Sequence, residues 1–156
     1  MTRLRQSLAL YVFAVAMLCA SSTWASGANF VVRSEGVELG QAKEDYAKGA
    51  DGKQVPLPPR FDVKLEQGQP FTLVAQGVVL PRGGRSTPHE PDAGAWLFDD
   101  EQLQLVPHDK KLYDKTMVAV RLKALKPGQT KIRFVGEVLG YYHRLDVFVD
   151  VVAPKK

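Results

Sequence analysis

An all-β chain, folded as an antiparallel sandwich of about seven strands, is what three features of this sequence predict. Apolar and polar residues alternate at period two over 61–65 (FDVKL), 116–125 (TMVAVRLKAL) and 145–152 (LDVFVDVV), the pattern of strands that bury one face. Glycine, proline and small polar residues punctuate the chain at short intervals between such runs, as turns do. Sustained helical periodicity is almost absent.

The first 25 residues read as a secretory signal peptide. Arg3 and Arg5 precede an apolar run over 8–20, and small residues lead to Thr23-Trp24-Ala25, which is the order of a cleavable leader. The run is shorter than the roughly 20 apolar residues a membrane span needs. Cleavage after Ala25 is therefore expected, with a periplasmic or secreted product and no stable membrane span; a retained anchor is the alternative. Cys19, the sole cysteine, follows Leu18 rather than a small residue, which argues against lipidation.

The whole chain carries 21 Lys and Arg against 17 Asp and Glu, a net charge of +4. Arg3 and Arg5 are the leader's only charged groups, so its removal leaves +2. A balance so near neutral, without a basic block, argues against nucleic acid as a partner. Without cysteine the remaining chain has neither disulfides nor a thiolate metal site, and it must stand on its core.

Residues 26–60 form an N-terminal unit. A short strand is expected over 29–34 (NFVVRS), then a polar loop over 36–53 with at most one helical turn, then an extended entry at 56–60 (PLPPR). The main domain spans 61–153. After FDVKL, the run 70–80 (PFTLVAQGVVL) alternates up to Gly77, where a bulge or bend is expected. Short strands follow at 95–98 and 103–106. In 116–125, Val118, Val120, Leu122 and Ala124 share one face. Lys126-Pro127-Gly128-Gln129 has type II turn chemistry and is expected to close a tight hairpin with 130–139. The last strand, 145–152, sets Leu145, Val147, Val149 and Val151 against Asp146, Phe148 and Asp150. The resulting class is an immunoglobulin-like antiparallel β-sandwich, with a closed barrel as the alternative.

If successive strands run antiparallel, the connections alternate between two ends. Short polar turns (66–69, 99–102, 126–129) fall at one end, and the long segments 81–94, 107–115 and 140–144 fall at the other. Long ordered loops are disproportionately functional, and Tyr and Arg commonly anchor interfaces. Arg82, Arg85, His89, Tyr113, Tyr141 and Tyr142 are thus the candidate contacts for a protein partner. Of the two adjacent tyrosines, one is expected in the core and the other in solvent. Trp96 reads as a core residue of a sandwich strand.

Chemistry is harder to find. Ser86, His89 and Asp92 fall within seven residues, but a Pro/Gly-rich loop cannot hold a triad unaided, and no nucleophile-elbow motif is present. Arg82-Gly83-Gly84-Arg85 lacks the following helix of a phosphate loop. No enzymatic activity and no cofactor are expected. His89, His108 and His143 would share the long-loop end and offer an alternative, a periplasmic metal-binding protein, although none has a tight ligand spacing. A further alternative is a structural accessory subunit of an envelope complex, lending an edge strand at 29–34 or 145–152.

The run QGQPFTLVAQ, the GAW before LQLV, LKALKPGQTKIRF ahead of an aromatic segment and the closing FVDVV together resemble chagasin-type inhibitors of papain-like cysteine proteases. The resemblance covers roughly 61–152. It implies an exported immunoglobulin-like domain that inserts three loops from one end into a protease cleft. The family's diagnostic loop motifs are absent: Asp92-Ala93-Gly94-Ala95-Trp96, HDKKLYDK and Gly140-Tyr141-Tyr142-His143-Arg144 occupy the three positions.

Overall fold

The computed structural model describes residues 25–42, 45–48, 50–81 and 84–154. The expected leader, Ala25 apart, and Arg82 lie outside the described residues. Two sheets pack face to face. One has the order β2 (Val37–Gln41), β1 (Ala25–Ser34), β6 (Pro70–Pro81), β10 (Met117–Ala124), β9 (Leu103–Leu105), with the two-residue β7 (Thr87–Pro88) also pairing β6; the other has the order β5 (Arg60–Glu66), β12 (Tyr141–Val152), β11 (Gly128–Val138), β8 (Ala93–Leu97). Every pairing is antiparallel except β5 with β12, which is parallel. That order and the single parallel pair make the sandwich immunoglobulin-like.

The N-terminal unit holds more structure than its composition announces. β1 (Ala25–Ser34) and β2 (Val37–Gln41) form a hairpin across Glu35-Gly36, both at positive φ (49° and 81°), as a two-residue type I′ turn requires. The segment read as a loop therefore contains a strand. Alternation failed to reveal it because β2 is an edge strand that turns mainly Leu39 toward the core. Gly40 lies against the ring of Phe61, where a Cβ would sit 2.7 Å from Cε1. β3 (Asp45–Lys48) and β4 (Gln54–Leu57) then make a separate two-stranded ribbon. β4 leads through Pro58-Pro59 into β5 (Arg60–Glu66).

From β5 onward the alternating runs fold as strands. β6 (Pro70–Pro81), β10 (Met117–Ala124), β11 (Gly128–Val138) and β12 (Tyr141–Val152) supply most of the core: Phe71, Leu73, Leu122, Ile132, Phe134, Leu145, Val147 and Val149 are buried, as is Phe30 from β1. Phe134 makes tilted and edge contacts with Trp96 and Phe30 at centroid distances of 4.9 and 4.8 Å. Gly136 leaves room for these rings, since a Cβ there would lie 2.6 Å from Phe134 and 2.8 Å from Phe30.

Two local expectations differ. Residues 126–129 close no hairpin. β10 belongs to the larger sheet and β11 to the smaller, so Lys126-Pro127-Gly128, with Gly128 at φ 128°, carries the chain across the sandwich. Pro-Gly chemistry specifies the bend but not whether the flanking strands pair. Gly77 makes no bulge: β6 keeps register with β1 through the Phe30↔Gly77 pair, and its ladder with β10 ends one residue earlier, at Gln76. Its missing side chain instead admits the backbone of His89, whose N–H donates to the Gly77 carbonyl at 2.8 Å.

The alternation between ends survives. Gln67 N–H donates to Val152 O (2.9 Å), Gly68 N–H to Ala124 O (2.8 Å) and Leu125 N–H to Gln102 O (2.9 Å). The three short turns are therefore stitched together at one end, and the 84–92 segment and the β11–β12 turn lie at the other.

Candidate functional site

The long-loop end is braced rather than loose. Residues 84–92 return along β6, where Thr87 and Pro88 pair Val79 and Val78, and His89 docks on Gly77. Asp92 then ties this segment to the β11–β12 hairpin. Its N–H donates to Glu137 O (2.9 Å), and its carboxylate accepts from Gly140 N–H (3.3 Å). Glu90 reaches Lys115 of the neighbouring connection at 3.0 Å. Residues 88–92, Lys115 and Thr116 line an open depression of about 550 Å³.

The connection 106–116 does not project from this end as expected. It contains a single 3-10 turn (Lys110–Leu112) capped by Asp109, and Leu112 and Tyr113 line a depression with Arg33, Thr72, Val74 and Met117 on the outer face of the larger sheet. A polar chain fixes its return: Arg33 donates to Gln76, Gln76 to the Thr116 hydroxyl, and that hydroxyl to Asp114. The hydrogen bonds from the Thr116 side chain and backbone hold the Asp114 carboxyl below its usual range.

The third connection is not a loop at all. β11 and β12 continue to a two-residue turn at Leu139-Gly140, with φ 51° and 75°. Glycine accepts such angles freely, whereas leucine takes them at a cost of roughly 1–2 kcal/mol. Both tyrosines belong to β12, and both are exposed, Tyr141 by 51% and Tyr142 by 65%. The expected split into one core and one solvent tyrosine is therefore corrected. Tyr141 has the inward parity of His143 and Leu145, but it sits at the rim of the core opposite Val138 in the ladder. Leu139 is 44% exposed, so the tip presents a leucine on one side of Gly140 and two tyrosines on the other.

The stem beneath that tip is held on its outer face by an ion pair. Arg133 and Asp146 are cross-strand partners, and the guanidinium spans both carboxylate oxygens at 2.7 and 3.1 Å. Asp146 is 6% exposed. The Arg133 hydrogen bonds hold its carboxyl below the usual range against the opposing effect of burial, with Lys131 and Arg144 adding to the lowering. The sign follows: the pair's contribution is complete above the ordinary carboxylate pKa of about 3.9 and disappears as pH falls through the depressed folded value. Asp146→Asn is thus expected to give a less stable protein at neutral pH with a shallower loss of stability below about pH 4, read from urea midpoints across pH. An unchanged acid limb would show that other carboxylates dominate it.

Of the sequence-derived candidates, Tyr141 and Tyr142 come together at the tip. Arg85 and His89 lie on the segment tied to that tip, with Arg85 exposed and His89 half-buried. Tyr113 stands apart over the larger sheet. The histidines do not converge: His108 packs edge-on to Tyr113 (5.5 Å), His143 packs on Phe30 (5.7 Å), and His89 is on the 84–92 segment. No group of three His, Cys, Asp or Glu suited to a metal occurs among the described residues. The strands named as lending an edge are inner ones, β1 between β2 and β6, and β12 between β5 and β11. Leu139 went unnoticed in the sequence. Its signal, an apolar residue before glycine between two strongly alternating runs, is that of a hairpin turn with an unusual first residue.

No family model and no curated protein matches the chain. Similar solved structures include the titin M10–obscurin-like 1 Ig complex, at 16% identity over 63% of this chain and 91% of that one with a TM-score of 0.38. Chimeric titin Z1Z2 functionalized with a KLER exogenous peptide from decorin matches at 9% identity, 71% and 95% coverage and a TM-score of 0.39. Domains 4 and 5 of the S-layer protein SbsC match at 13% identity, 80% and 77% coverage and a TM-score of 0.38.

Proposed function

We propose that the chain is an exported, non-enzymatic protein-binding domain that engages its partner through the β11–β12 tip and the adjoining 84–92 segment. The observation that carries this reading is Leu139, an exposed apolar residue in a left-handed turn position beside two exposed tyrosines. A backbone strain and a solvent-facing apolar cluster at one place are costs to folding that a contact surface explains. Tyrosine suits such a surface because it contributes large area with few rotatable bonds and a polar tip. Asp92 and the Arg133–Asp146 pair make the tip rigid, which lowers the ordering cost of binding. Inhibition of a secreted or envelope enzyme is the most concrete form of this function.

Replacing 84–92 wholesale would also delete the ties of His89, Glu90 and Asp92, so surface substitutions give the cleaner test. Tyr141→Ala with Tyr142→Ala is expected to weaken capture of the partner from an envelope or secreted fraction about tenfold or more, with the unfolding midpoint nearly unchanged. Leu139→Asn should separate the two roles by raising stability by about 0.5–1 kcal/mol while weakening capture. Full capture by both variants would refute the tip as the contact.

A further inference from the structure

Each sheet ends in strands whose free backbone groups invite another chain, and folded proteins protect such edges. Here most are protected. β5 alternates charge along Arg60, Asp62, Lys64 and Glu66. β2 has an irregular register, and its Gly40 is tucked against Phe61. β9 (Leu103–Leu105) has three residues and is followed by Pro107. Where β9 stops short beside β10, Val106 N–H reaches Arg121 O (2.8 Å) and the Trp96 indole reaches Val118 O (2.9 Å). The edge of β8 (Ala93–Leu97) has no such cover. Its sequence, AGAWL, holds no charge and no proline; Ala93, Gly94, Ala95 and Leu97 are exposed; and among the described residues nothing pairs its outer side.

The sequence flanking it is one-sided in charge, although Lys115 pairs with Glu90. Between Arg85 and Lys110 the chain has no Lys or Arg but six acids: Glu90, Asp92, Asp99, Asp100, Glu101 and Asp109. Two of these precede β8 and three follow it closely. We propose that the β8 edge accepts an extended segment of another protein, added as a fifth strand, with a small or β-branched apolar centre of about five residues and Lys or Arg on both flanks. Main-chain hydrogen bonds supply the docking, the absence of bulky side chains at Ala93 to Ala95 admits the incoming strand, and the acids select its flanks. A second copy of this chain fits poorly, because antiparallel self-pairing sets Asp92 of each copy against Asp99 and Asp100 of the other. This surface uses the backbone of β8, and the residues substituted to test it, Ala95, Asp100 and Glu101, lie outside 84–92 and 139–142, so either can fail without the other.

The test titrates the isotopically labelled full chain with a synthetic peptide, KRVTVTVRK, and with a control in which every basic residue is Glu. Saturable amide shifts and slowed hydrogen exchange centred on residues 93–97 are expected, with binding weakened about tenfold by Ala95→Lys, by Asp100→Lys with Glu101→Lys, and by the acidic control. The two sets of variants lie in and beyond the strand, and an unchanged unfolding midpoint in either keeps the comparison valid. No response at 93–97, a response confined to 139–142, equal binding of the acidic peptide, or a peptide-free dimer abolished by Ala95→Lys would each overturn the proposal.

Discussion

Phe134→Ala lowers the free energy of unfolding by about 3–5 kcal/mol, the largest single-residue loss expected in this protein. The ring is fully buried between the sheets, with Phe30 from one side and Trp96 from the other at centroid distances below 5 Å. Gly94 and Gly136 both face it, at 3.3 and 2.6 Å from where their Cβ atoms would be. Glycines have no side chains with which to refill the space, so the cavity collapses poorly and the cavity penalty adds to the lost transfer energy. Urea denaturation should show the midpoint falling at an unchanged slope, and Phe134→Leu should recover much of the loss. A cost under about 1 kcal/mol would mean that the sheets close over the gap.

Gly77→Val comes next, and it couples the core strand to the candidate site. Any Cβ at this position would lie 2.5 Å from the His89 carbonyl oxygen, which is backbone and cannot swing aside. Either β6 or the 84–92 segment must shift. The segment is held on β6 by the His89–Gly77 bond and the two β7 pairs, so it is the part that yields. We expect a stability loss of about 1–3 kcal/mol together with faster hydrogen exchange at the His89 amide and weaker partner capture. Gly77→Ala should show the same effects to a lesser degree. Preserved exchange protection at His89 in both variants would sink this account.

β5, β6, β10, β11 and β12 were legible because each buries one face, so their alternation is written directly in residue types. β2 was not, since an edge strand that turns mainly one apolar residue inward leaves almost no pattern. The Lys126-Pro127-Gly128 bend was legible as a turn, but whether a turn joins paired strands or crosses a sandwich depends on partners distant in sequence. At the site, position was easier to read than shape. Alternation put 81–94 and 140–144 at one end, yet only the register through Val138↔Tyr141 shows that the aromatic segment is a tight hairpin tip rather than a loop. Tyr113 was misplaced for the converse reason, because a connection's length says nothing about which face it folds back over.

The position of β12 also bears on how the chain comes to be folded as it is made. It follows every other described strand in sequence, yet it lies inside its sheet, between β5 and β11, with β5 joined to nothing else there. A growing chain that has emerged through residue 138 can therefore pair β11 with β8 but leaves β5 without a neighbour and the core of the smaller sheet half-lined. Assembly must wait until residues 141–152 emerge, and the β5–β12 closure then spans most of the domain, a pairing of high sequence separation that is slow to form. Until β12 joins them, the apolar faces of β5 and β11 stay open to cellular factors that handle unfolded chains.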